Sequence, residues 1–79
     1  MNYCIKYAVK GKHLLSIDKS GNRYYVADYD KETHRTTMRE EFETYDNAEW
    51  FYELFRKNNE YGETIEIDRS AYDFDAFTR

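Results

Sequence analysis

Along residues 2–10 the side chains alternate strictly, with Tyr3, Ile5, Tyr7 and Val9 on one side and Cys4, Lys6, Ala8 and Lys10 on the other. A period of two is the signature of a half-buried strand. Gly11-Lys12 supplies a turn, and residues 13–18 predict a second strand with Leu15 and Ile17 facing the core and Leu14 outward. Ser20, Gly21 and Asn22 mark the next turn, over 19–22. Residues 23–29 then read as a third strand whose two sides are Tyr24, Val26, Asp28 and Tyr25, Ala27, Tyr29; pattern alone does not choose which trio faces the core. Residues 30–34 predict a hairpin loop ending at His34, where Gly or Asn is common. Residues 35–42 predict a fourth strand, with Thr36, Met38 and Phe42 inward, Arg35, Thr37 and Arg39 outward and Glu40 at the rim.

After Phe42 the period changes. Ala48, Phe51, Tyr52 and Phe55 recur at i, i+3, i+4 and i+7, so at about 100° per residue they form one stripe. The stripe predicts a helix over 46–58, capped by Asp46, with Glu49 at the capping-box position and Asn58-Asn59 ending it in the left-handed conformation. Trp50 and Leu54 lie on a flank of this stripe, which makes the apolar arc wider than a small sheet needs; Glu49, Glu53, Arg56 and Lys57 are left for water. Tyr61-Gly62 turns the chain. Residues 63–68 predict a fifth strand with Ile65 and Ile67 inward and the polar alternates Glu66 and Asp68 suited to a sheet edge. Residues 69–79 place Tyr72, Phe74 and Phe77 among Asp73 and Asp75, as a short helix starting after Ser70 or as an ordered arm. The expected fold is a single α+β domain over 1–79, an antiparallel sheet of four to five strands with one main helix packed on one face.

A chain of 79 residues buries only about 60 to 65% of the surface it exposes when unfolded, which argues against a deep cofactor cavity. The single cysteine, Cys4, excludes an intramolecular disulfide and points to a reducing compartment. No apolar run approaches the roughly 20 residues of a membrane span, so a cytoplasmic location is expected. The formal net charge is −4, but its distribution along the chain says more. Residues 1–39 carry eight Lys/Arg against four Asp/Glu, whereas residues 40–79 carry four against twelve. Nine tyrosines among 19% aromatic residues favour interfaces over disorder.

Asp28, Asp30 and Glu32 have the first spacings of a calcium loop, but Thr33 and Arg39 stand where that loop requires Gly and Glu. Cys4, His13 and His34 are too dispersed for a zinc site or a nucleophile pair. No metal, no cofactor and no catalytic set is expected, and the chain reads as a non-enzyme. The carboxylates Glu40, Glu41, Glu43, Asp46, Glu49 and Glu53 cluster around the helix entry and its exposed side. Some of them are accounted for by the helix dipole alone. As a group they predict an acidic patch for a basic groove on another protein, with Trp50, Tyr52 and the tail aromatics beside Asp73 and Asp75 as anchors. The alternative is a nucleic-acid-binding sheet face. If Tyr24 and Val26 point to the core, Lys6, Lys10, Tyr25, Tyr29, Arg35 and Arg39 could meet phosphates and stack on bases. The acidic overall balance weighs against that face.

The run from Tyr24 to Phe55, with a turn at 30–34, a strand ending at Phe42 and then Thr44 and Ala48 before an aromatic helix, resembles the N-terminal arm-binding domain of tyrosine recombinases. That resemblance implies a sheet backed by a helix and a DNA-contacting sheet face; the family's basic strand corresponds here to Arg35 and Arg39 followed by Glu40 and Glu41. In format the chain also resembles small phage-encoded anti-CRISPR proteins, which are compact acidic α+β domains. The carboxylates named above, with Asp68, Asp73 and Asp75, carry this second resemblance. It implies an inhibitor that blocks a nucleic-acid-handling defence complex in the host cytoplasm.

Overall fold

The structure, a computed structural model, describes residues 2–67. Four strands, β1 (Asn2–Lys10), β2 (His13–Ser20), β3 (Arg23–Asp30) and β4 (Arg35–Phe42), follow one another as an antiparallel meander. Helix α1 (Tyr45–Asn58) then crosses one face, and β5 (Ile65–Glu66) pairs with β1, giving the order β4-β3-β2-β1-β5. The α+β architecture expected from the pattern is the one observed. Gly11 (φ 56°) and Gly21 (φ 62°) each open a two-residue hairpin turn in the left-handed region, where a Cβ would be strained. Because the second of these turns is so short, β2 runs on to Ser20 instead of stopping at Asp18. His34 (φ 60°) takes the left-handed position at the end of the third hairpin loop.

The choice left open on β3 is resolved in favour of Tyr24, Val26 and Asp28, which face the helix. Ala8, Leu15, Ile17, Val26, Ala48 and Tyr52 are fully buried between the layers. Phe51 and Phe55 pack beside them, as the helical stripe requires. A run of tilted rings, Phe42, Phe51, Phe55 and Tyr61, with centroids 5.5 to 6.1 Å apart, closes one flank. Such pairs contribute about 0.5–1.5 kcal/mol each beyond their buried area.

Two β-bulges overturn the expected facing of β1 and β4. On β1 the register shifts between Cys4 and Lys6, so Tyr3 and Ile5 face the helix and so, after the bulge, do Lys6, Ala8 and Lys10. Tyr7 and Val9 turn to the far face of the sheet. On β4 the register shifts opposite Asp28 and Tyr29 at Thr37, so Arg35 pairs with Asp30 on the helix side and Thr36 with Tyr29 on the far side. Each bulge inserts one residue and so inverts the parity of everything beyond it. Met38 and Phe42 keep their inward places.

The helix ends also differ from expectation. Thr44 is the N-cap, its Oγ1 accepting the Asn47 N–H at 3.3 Å, and Asp46 sits in the first turn instead. At the other end Asn59 has φ −107°, and Glu60 (φ 58°) adopts the left-handed conformation. The fifth strand is only two residues long. Ile65 is 49% exposed because it pairs with Tyr7 on the far side, so it is not a core residue, while the Ile67 N–H donates to the Ile5 carbonyl at 3.1 Å. Asp68, the aromatic tail with Tyr72, Phe74 and Phe77, and the helix expected after Ser70 lie outside the described residues.

Candidate functional site

The side of α1 turned from the sheet carries Trp50 and Leu54, one turn apart, 67% and 44% exposed. Ala48 and Tyr52 face the sheet, and among the described residues no second layer packs on the row of Trp50 and Leu54. Asp46, Glu49, Glu53 and Lys57 run beside it, and together the six residues line a shallow depression. Glu49 is held in place from below. Its Oε2 accepts from Lys6 Nζ at 2.6 Å and from the Tyr45 hydroxyl at 3.2 Å. Lys6, whose side chain is only 8% exposed, lies 5.8 and 5.4 Å from the ring centroids of Tyr45 and Tyr52.

Desolvation works to lower the Lys6 pKa, but its hydrogen bonds to Glu49 and Tyr45 prevail and hold it above the usual lysine value. The same Lys6 hydrogen bond depresses the Glu49 carboxyl. A depressed carboxylate stabilises the fold above the ordinary Glu pKa of about 4.3 and loses that contribution as pH falls; a raised lysine contributes below about 10.4 and loses it as pH rises. The pair therefore persists through the neutral range. Glu53 is likewise paired, with Arg56 at 2.9 Å, and Arg56 also donates to the Gly62 carbonyl at 3.0 Å. In both pairs the carboxylate is the more exposed partner, so the negative end points to solvent.

The remaining acidic residues divide. Glu41 and Glu43 gather around Arg23, at 2.6 and 3.6 Å. Glu40 and Asp46 are exposed and have no ion-pair partner among the described residues. Asp73 and Asp75 lie outside the described residues. Tyr52, expected as an anchor, is fully buried, with its hydroxyl 3.0 Å from Thr64 Oγ1. Among the described residues the acids beside Trp50 are Asp46, Glu49 and Glu53, and Trp50 is the exposed aromatic side chain at that place.

The set expected for nucleic acid is dispersed. Lys6 and Lys10 lie on the helix side, Lys6 in its ion pair and Lys10 over the Tyr61 ring at 5.9 Å. Arg35 shares the side of Asp30. Tyr29 is hydrogen-bonded to His34 at 3.1 Å. On the far face Arg39 stacks on Tyr25 at 4.1 Å, in a polar recess with Cys4 and Asp18. Arg23 and Arg39 there stand among Asp18 and Glu41, and among the described residues they form no continuous basic stripe. Burial, and after it the charge of Asp18, pushes the Cys4 thiol up to about 12, so it remains protonated and a weak nucleophile.

Desolvation also raises the Asp18 carboxyl above its ordinary value. A raised carboxyl favours the protonated fold, and that contribution is lost as pH rises through its folded pKa. Asp18→Asn, which mimics the neutral form, is therefore expected to raise Tm at pH 7. Below the unfolded Asp pKa of about 3.9 the gain should vanish. Paired thermal melts at the two pH values check both parts.

A buried polar hub went unrecognised in the pattern. Asp28, with its side chain 7% exposed, accepts from His13 Nδ1 at 2.9 Å, from Thr37 Oγ1 at 2.5 Å and from the Tyr61 hydroxyl at 2.5 Å. These donors come from β2, the β4 bulge and the loop after α1. Burial, and then the hydrogen bond and charge of Asp28, keep the Tyr61 hydroxyl well above its ordinary pKa. Asp30 accepts the backbone N–H groups of Glu32 and Thr33 at 2.9 and 3.2 Å and so builds the hairpin loop. Asp28, Asp30 and Glu32 thus serve separate structural tasks and do not converge on one point. The readable signal was an aspartate in the inward trio of β3.

Comparison with protein-family models, with curated proteins and with solved structures yields no match.

Proposed function

We propose that the protein is a non-enzymatic binding module, of the inhibitor type, that docks through the outer side of α1 onto another protein. The observation that carries this reading is the exposure of Trp50 and Leu54 beside Asp46, Glu49 and Glu53. A tryptophan is a poor choice for a purely solvated helix side and a frequent hot spot in interfaces. Carboxylates fixed by Lys6 and Arg56 lose little side-chain entropy on binding, which favours their use as pre-positioned contacts.

The partner class in keeping with an acidic module is a protein with a basic groove, such as a nucleic-acid-handling defence complex, as in the format shared with anti-CRISPR proteins. A pull-down comparing the native chain with the Glu49→Lys/Glu53→Lys variant tests the reading. Loss of the captured partner is expected; unchanged capture would remove this surface from the mechanism. A circular-dichroism melt of the variant separates loss of docking from loss of fold.

A further inference from the structure

The arrangement of side chains on α1 points to the kind of element that docks there: we infer that the partner presents a basic amphipathic helix, laid along α1. This rests on the docking role proposed above and makes it specific. Asp46, Glu49 and Glu53 follow a single row at i, i+3 and i+7, and Trp50 and Leu54 form a second row at i and i+4 about a quarter turn around the helix. The two rows run side by side along a helix of 14 residues, about 21 Å in length. A counter-helix meeting them needs an apolar stripe for Trp50 and Leu54 and, next to it, Lys or Arg for the carboxylates. Side-chain ridges of one helix pack into the grooves of another, and the shallow depression lined by these residues is such a groove.

Charge favours this occupant over a second copy of the chain. Two of these faces packed antiparallel about a two-fold axis would bring Lys57 near the other copy's Asp46 but set Glu49 and Glu53 against their copies, and each chain carries a net charge of −4. It favours a protein over nucleic acid for the same reason. The outward ends of the Lys6–Glu49 and Arg56–Glu53 pairs are the acceptors, which suits ammonium and guanidinium donors.

Trp50 is the single tryptophan of the chain, so its emission reports on this site alone. The test titrates the full chain with a synthetic Leu/Lys peptide patterned as an amphipathic helix, and with the same peptide carrying Glu in place of Lys. A saturable change in Trp50 emission with the lysine peptide, weakened by salt, is expected. Leu54→Ala should weaken it about tenfold, the loss of one interfacial anchor. The glutamate peptide should give no comparable response. Equal responses to the two peptides, or none to either, would overturn the inference. So would concentration-dependent dimerisation that shields Trp50, or a larger emission change with duplex DNA than with the lysine peptide. If the Glu49→Lys/Glu53→Lys variant loses its captured partner while the lysine peptide fails to bind, the docking face stands and the helical, basic nature of the partner is wrong. If capture is unchanged, the docking face itself is wrong.

Discussion

Asp28→Ala is expected to bring the domain close to unfolding at 25 °C. The substitution removes the shared acceptor of three donors, His13, Thr37 and Tyr61, at a place where the Asp28 side chain is only 7% exposed. Hydrogen bonds to a charged group contribute about 1.5–3 kcal/mol each, against a total stability of about 5–15 kcal/mol for a folded domain. For a chain of 79 residues the lower end of that range applies. The three donors reside on β2, β4 and the loop after α1, so the loss should be global and cooperative. Urea denaturation followed by circular dichroism reads it directly. A shift below about 1 kcal/mol would mean that water replaces the carboxylate without penalty.

Tyr52→Ala is expected to cost about as much by a different route. Tyr52 is the largest fully buried side chain, at the centre of the helix–sheet contact. Truncating a buried aromatic to alanine costs about 3–5 kcal/mol, from lost transfer energy and the cavity that remains. Tyr52→Phe removes only the hydrogen bond with Thr64 and should cost about 1 kcal/mol. The separation between these two variants identifies the ring as the main contributor.

The pattern of the sequence made most of this fold legible. Strict alternation located β1, looser alternation between turn signals located β2 to β4, and the 3.6-residue period of Ala48, Phe51, Tyr52 and Phe55 located α1 and its buried stripe. Parity along β1 and β4 was not legible, because a bulge at Ile5 or Thr37 requires no glycine and leaves no mark in composition. That one extra residue moved Lys6 from an expected far-face phosphate contact to the underside of Glu49. The same shift takes Lys6 and Lys10 off the expected basic sheet face and gives the helix side its anchored carboxylate. The helix start was displaced for a simpler cause. Thr44 and Asp46 are both good caps, and the choice depended on where Phe42 leaves β4. The hub at Asp28 links residues 33 positions apart, beyond the reach of any local pattern.

Of the candidate site, Trp50, Leu54, Glu49 and Glu53 were readable as an excess of apolar arc flanked by acids. Their ion-pair partners were not, since Lys6 comes from a strand 43 positions earlier. The pairing fixes the direction of the carboxylates, and in the docking proposed above orientation more than net charge would distinguish one basic partner from another.

Acrylamide quenching of the single tryptophan in the free protein is the most direct measurement of the central claim. The account predicts that Trp50 emits at a solvent-exposed wavelength and is quenched nearly as efficiently in the folded as in the unfolded chain. Blue-shifted emission with strong protection from quencher would contradict it, because Trp50 would then already be covered and α1 would have no apolar row to offer.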